Sequence, residues 1–396
     1  MTTLFYVDGY SQKDTAEFLE LPLTTAKKRL HDSRKRLKER MIRMVSDELR
    51  RHFLDDRFVA RVMARYRLGC IEETGRDRDP EHEGRMRRFK TANGSYVLKL
   101  HHEYTTQEVM TAVEAVRGHL RRNGFSTPGA VRTQRGEHFV DDDGRLAAVF
   151  EWAEGRHSHH NSTVDLCEVA EVQGRWIEAM QSFDDSVAIS VLRQIRRRKT
   201  WAWIVPLDDL AGAVKKLNPV EKVRSFKTSA SYHLTYLDGM AQVESRWREY
   251  CNMVKEHDVQ DLPHCVTHGD LWAGNVLLGK KSATVVDLDL CSYEPRMADF
   301  ARMAAWRYDL LQTEGISKAF SRFQSRTFVD REEIASIPVL MVSHHMYYLL
   351  MHCLLYTDEP EGCAGYLVEK TLPSELRAFD TVVSHFSDIE RALCRA

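Results

Sequence analysis

Residues 266–290, VTHGDLWAGNVLLGKKSATVVDLDL, constrain this chain more than any other stretch. A short apolar run delivers His268, Gly269 and Asp270, Asn275 follows five residues after that aspartate, and a second apolar run ends at Asp287. Asn275 offers a neutral oxygen and Asp287 an anionic one, the ligand chemistry preferred by a hard divalent cation such as magnesium. Asp270 is a group that can accept or orient a hydroxyl proton.

The outer bounds agree with a large globular protein. At 396 residues and 43% hydrophobic content the chain has room for two or three domains, each with its own core. No run approaches the roughly 18 apolar residues of a spanning helix, and the start MTTLFYVDGYSQ lacks a basic and then apolar leader, so a cytoplasmic protein with no membrane partner is expected. Eight cysteines stand singly, a pattern of reduced structural thiols rather than of a zinc or redox motif. A net charge of -1 argues against a nucleic-acid coat, yet residues 24–43 hold nine Lys or Arg against two acids.

That basic excess falls on a recognisable layout. Ser11 and Asp14 form a capping box for a helix carrying Ala16, Phe18 and Leu19; Leu21 and Pro22 break it; a second helix starts near Thr24 with Ala26, Leu30, Leu37 and Met41 on one face. LFYVDGYSQKDTAEFLELPLTTAKKRLHDSRKRLKERM, residues 4–41, resembles region four of bacterial sigma factors. The resemblance implies an all-α helix-turn-helix segment over residues 1–45, with Thr24, Thr25, Lys27, Lys28 and Arg29 facing DNA. The family's preceding helices are missing, so a complete sigma factor is not expected. The other reading of this segment is two amphipathic helices with a solvated basic face. Residues 46–66 continue as a charged helical connector whose stripe includes Leu49, Phe53, Phe58, Val62 and Met63.

Residues 67–155 read as a nucleotide-binding lobe. RMRRFKTANGSYVLKL alternates about an Asn93-Gly94 turn, a hairpin signal, and Lys99 interrupts the second apolar strand, where a lysine needs a partner. The helix that follows buries Val109, Val113, Val116 and Leu120 and sets Glu114 beside that stripe; in a kinase-like lobe a helix glutamate orients the strand lysine, a role for which Glu114 is the candidate and Glu108 the competitor. Phe150 to Ala153 form a hinge at which Glu151 and Ala153 present backbone groups to an adenine edge. No G-x-G-x-x-G occurs, and Gly84 is the one glycine where a phosphate-covering loop would lie, which disfavours a protein kinase.

Residues 156–396 read as a mostly helical catalytic and acceptor-binding lobe. HGDLWAGN at 268–275, VVDLD at 285–289 and ADFA at 298–301 resemble the aminoglycoside phosphotransferase superfamily, which includes choline, ketosamine and spore-coat-type kinases, and the likeness covers about residues 84–310. It implies an α+β, bilobal, protein-kinase-like fold using ATP and Mg2+, with Asp270 as the catalytic aspartate, Asn275 and Asp287 on magnesium, Lys99 and Glu114 at the nucleotide, and His268 and Asp299 supporting the loop. Asp289 either joins the metal site or points to solvent. The implied activity is γ-phosphate transfer to a hydroxyl of a small molecule such as an aminoglycoside or amino sugar, with RMAAWRYDLLQ and VLMVSHHMYYLLMHCLLY walling the acceptor pocket. The alternatives are a DNA-binding regulator whose kinase-like half senses a ligand, and a noncatalytic interaction module.

Overall fold

The computed structural model describes residues 54–76, 85–102, 105–195, 212, 231–280, 282–358 and 371–396. The helix-turn-helix segment with Thr24, Thr25, Lys27, Lys28 and Arg29, and also Gly84, lie outside the described residues.

Alternation along the strands decides the small lobe. Helix α1 (Asp56–Met63) starts where the Asp55 carboxylate accepts the Phe58 N–H at 2.8 Å. Strands β1 (Ile71–Arg76), β2 (Met86–Thr91) and β3 (Gly94–Leu100) precede helix α2 (Gln107–Arg122), and β4 (Val140–Asp142) and β5 (Arg145–Glu151) complete an antiparallel sheet of order β1-β2-β3-β5-β4. Leu98, Leu100, Ala147 and Val149 point to one face, where Phe58, Val59 and Val62 of α1 cover them. Leu146, Ala148 and Phe150 point to the other, with Val97 and Met110. The described part of the 46–66 stretch thus belongs to the core of this lobe, tied at its edges by Arg61–Asp142 at 2.7 Å and Arg87–Asp56 at 2.6 Å. The hairpin turns at Ala92 and Asn93, with Gly94 opening β3 at φ +140°. The expected stripe Val109, Val113, Val116 and Leu120 is buried on α2.

After the hinge come β6 (Arg156–His157), α3 (Thr163–Met180), α4 (Ser186–Ile195), α5 (Ser231–Glu256), β7 (His264–Thr267), β8 (Val276–Leu278), β9 (Ala283–Val285) and β10 (Ser292–Pro295). They are followed by α6 (Ala298–Trp306), α7 (Tyr308–Gln324), α8 (Arg331–Asp358), α9 (Leu372–Ser384) and α10 (Phe386–Leu393). Strands β6, β8 and β9 form a small sheet and β7 pairs with β10. Trp176, Phe300, Phe320 and Phe323 are fully buried at the centre. Gly174 lets α3 approach α7, because a Cβ there would strike the Phe323 carbonyl oxygen. The expectation that no run is apolar and long enough to span a membrane is corrected by α8, whose Arg331–Met351 segment qualifies by length and composition. In this fold 72% of its apolar window is buried inside the helical lobe, which accounts for its composition. The architecture is the expected α+β, bilobal one.

Candidate active site

The loop after β7 is held by backbone geometry before any side chain acts. Gly269 sits at φ +81°, and a Cβ there would run into the Leu290 carbonyl. The Asp299 carboxylate accepts the His268 N–H at 2.9 Å and the Gly269 N–H at 3.4 Å, while Arg302 donates to its other oxygen at 2.8 Å and also bonds Glu294. His268 is fully buried edge-on to Trp176, with ring centroids 5.3 Å apart; burial pushes its pKa down. The His268 Nδ1 accepts the Asp270 N–H at 3.3 Å, which leaves Nε2 to donate to the Val286 carbonyl at 3.0 Å. Gln173 on α3 donates to the Leu271 and Asp299 carbonyls.

Asp270 emerges from this scaffold into a cavity that Arg302 also lines, and among the described residues no ion pair to it is formed. Burial, then the charges of Asp287 and Asp299, push its carboxyl up to about 7; the Asn275 side chain opposes by donating to its Oδ2 at 2.9 Å and to its carbonyl at 2.8 Å. Asp270 lines one cavity, with Trp272, Arg302, Trp306, His344 and Tyr348. Asn275 lines a second, the cleft between the lobes, with Lys99, Glu151, Ala153, Asp287 and Asp289. The Asn275–Asp270 hydrogen bond therefore joins the two cavities.

In the cleft, Lys99 Nζ contacts Asp287 Oδ1 at 2.6 Å and Asp289 Oδ2 at 2.9 Å. Burial opposes its charge, but the two carboxylates outweigh it and hold Lys99 above its ordinary range. Asp287 adopts left-handed backbone angles (φ 61°, ψ 68°), a conformation uncommon outside glycine that turns its carboxylate into the cleft. Asp289, open between metal and solvent from sequence, points inward and also contacts His101 Nδ1 at 2.8 Å.

The structure does not bring Glu114 to Lys99. Glu114 accepts from Arg117 Nε at 2.8 Å and lies 3.6 Å from His138, because its position on α2 turns it toward the Thr127–Pro128 segment that Arg117 also bonds. Glu108 is exposed. At the hinge the Glu151 side chain turns away onto the Gly129 N–H (2.9 Å) and Arg121 (2.8 Å), leaving main chain to face the cleft. Among the described residues the Ala153 N–H has no backbone acceptor. Sequence reasoning missed Arg302 and His101. Arg302 carried a signal, standing three residues after Asp299 on one helix face; His101 shows in the sequence only as one of an adjacent histidine pair, which reads as a minor metal-ligand candidate and not as a partner of Asp289.

A hinged antiparallel lobe and helical lobe, with a lysine and aspartates converging on the cleft between them, define a kinase-like phosphotransferase. The chain belongs to the phosphotransferase enzyme family, whose model matches residues 78–334, and residues 3–37 match that of Sigma-70 region 4. It is 24% identical over 291 residues to a homoserine kinase of Nitrobacter winogradskyi, covering 72% of this chain and 79% of that one. A homoserine kinase of Rhodopseudomonas palustris is 25% identical over 284 residues, 69% of this chain and 76% of that one. Among solved structures, an aminoglycoside phosphotransferase from Alicyclobacillus acidocaldarius superposes with a TM-score of 0.57 at 12% identity, covering 85% of this chain and 95% of that one. The amicoumacin kinase hAmiN, in complex with AMP-PNP, Ca2+ and Ami, gives 0.55 at 17% identity over 85% and 94% of the two chains. A microcompartment-associated aminopropanol kinase gives 0.56 at 14% identity over 85% and 100%.

Proposed function

We propose that this chain transfers the γ-phosphate of ATP to a hydroxyl of a small, amine-bearing molecule. The observation that carries the reading is the Asn275–Asp270 hydrogen bond of 2.9 Å, which links a residue lining one cavity to a residue lining the other. Asp270 orients the acceptor hydroxyl and takes its proton, a task suited to a carboxyl titrating near neutrality. Because Asn275 spends its amide nitrogen on Asp270, its oxygen remains for a cation, and Asp287 adds an anionic oxygen. That donor set fits Mg2+, which when bound neutralises phosphate charge. Asn275 and Asp287 would hold the ion from the protein side, and a nucleotide's phosphate oxygens would be of the same hard donor type. Lys99 meets the phosphates, and the main chain of Glu151 and Ala153 meets the adenine. His268 and Asp299 hold the loop.

Trp272 and Trp306 stand perpendicular at 5.1 Å in the acceptor cavity, with Tyr348 beside them, and aromatic faces attract ammonium groups. The names of the homoserine and aminopropanol kinases point to amine-bearing alcohols as well. Supplying ATP, Mg2+ and a panel of amino alcohols, homoserine, amino sugars and aminoglycosides, and following ADP release and phosphorylated product, tests the reading. Wild type and Asp270→Ala behaving alike across the panel would sink it.

The match at residues 3–37 favours a second reading, that Thr24, Thr25, Lys27, Lys28 and Arg29 contact DNA and the kinase-like half responds to a ligand. Salt-dependent binding to duplex DNA that weakens in Lys27→Ala and Arg29→Ala supports it. No binding at low salt removes it.

A further inference from the structure

Given the ATP reading above, we infer that His101 is a positioning residue: by holding Asp289 it makes Asp289, rather than a helix glutamate, the carboxylate that orients Lys99 toward the nucleotide phosphates. His101 follows β3 two residues after Lys99, and its main chain is anchored on both sides. Its N–H donates to the Leu146 carbonyl at 2.8 Å and its carbonyl accepts from Arg85 at 3.3 Å. The residue is 3% exposed and its ring stands edge-on to the hinge residue Phe150 at 6.3 Å, so it has little freedom to turn. Nδ1–H donates to Asp289 Oδ2 at 2.8 Å, and that same oxygen takes Lys99 Nζ at 2.9 Å.

The two cleft carboxylates are therefore unequal. The Asp289 side chain is 11% exposed with two donors on one oxygen, whereas that of Asp287 is 39% exposed. Asp287 has room to turn to a cation, and Asp289, clamped by His101, stays with Lys99. Glu114, the expected partner, is committed to Arg117 at 2.8 Å with a side chain only 7% exposed. A hydrogen bond to a charged group contributes enough that its removal loosens Asp289 and with it the lysine.

Binding of ATP and ADP to the full chain, with and without Mg2+ and with no acceptor, is measured by competition against a fluorescent ATP analogue. His101→Leu weakens Mg-ATP binding about tenfold. His101→Asn, whose amide nitrogen replaces Nδ1, stays within about threefold of wild type. Asp289→Asn weakens binding at least as much as His101→Leu and more than Glu114→Gln does. If His101→Leu does not fold, His101→Gln, with its amide displaced toward the Nε2 position, shows the same loss instead. Wild-type affinity in both His101→Leu and His101→Gln, equal losses in His101→Asn and His101→Leu, or a larger loss in Glu114→Gln than in Asp289→Asn overturns the inference alone. A wild-type protein that binds no nucleotide overturns the ATP reading and this inference together.

Discussion

Replacing Asp270 by asparagine is expected to abolish transfer and yet stabilise the metal-free protein at neutral and alkaline pH. Burial first, and then Asp287 and Asp299, raise the Asp270 carboxyl from an ordinary 3.8 up to about 7, against the opposing hydrogen bond from Asn275. Above neutrality the folded chain must ionise a group that the unfolded chain ionises far more readily; 7 minus 3.8, at about 1.36 kcal/mol per pH unit, gives roughly 4 kcal/mol as the ceiling. Between about pH 4 and 7 the folded state keeps a proton that the unfolded state has released. Stability therefore falls as pH rises through that window and levels off above it. Asparagine stays neutral throughout and keeps an oxygen to accept from Asn275, so its advantage grows from near zero at pH 4 to a few kcal/mol at pH 8. Urea melts of both proteins in EDTA, from pH 4.5 to 8, measure it. A difference between the two that does not change across that range would refute the reasoning.

Gly269→Ala is expected to cost about 2 kcal/mol more in a urea melt than Gly124→Ala, which has nothing within 4 Å and bears only the left-handed penalty of about 1–2 kcal/mol. Equal losses would show that the Leu290 carbonyl gives way freely. Asp299→Asn breaks a buried ion pair with Arg302 and weakens acceptance from the His268 and Gly269 N–H groups, so it should destabilise by about 3 kcal/mol and lower kcat more than it raises the KM for ATP. Unchanged kcat would mean that the loop positions Asp270 without it.

What the sequence disclosed is what one chain segment can carry by itself. Lys99 announced its role because a lysine in the apolar strand YVLKL has to find an opposite charge, and the alternation of that strand named the face on which it would look. The spacing from Asp270 to Asn275 is short enough that the loop alone fixes their contact. The partner of Lys99 was another matter. Glu114 lies 15 residues from Lys99 and Asp289 lies 190, and nothing local distinguishes a helix acid that turns to Arg117 from one that turns to the strand. The apolar stripe of α1 was legible but its destination was not, because a stripe says that a helix is covered and not by what. Helix α8 shows the same limit: Arg331–Met351 has the composition of a spanning helix and is instead the middle of a helical core.

Four aspartates of one site receive different fates from their surroundings, and that division supports the chemical reading more than any single residue does. Asp299 is consumed by two backbone N–H groups and Arg302, which fits a part that holds shape. Asp289 is kept well below the carboxylate range, because the attraction of His101 and Lys99 outweighs its burial, which fits a fixed charge that orients a lysine. Asp287 is the most exposed of the pair on Lys99 and stands in a left-handed turn, which fits a ligand that must exchange one cation for another. Asp270 accepts from the neutral amide of Asn275, and burial, then the charges of Asp287 and Asp299, raise its carboxyl to about 7 against that bond and the more distant Arg302. A merely structural cluster gains by pairing every acid. Asp270, at the wall of a second cavity, is the aspartate whose carboxyl is raised to about 7, which fits the proposed part of a group that takes up a proton.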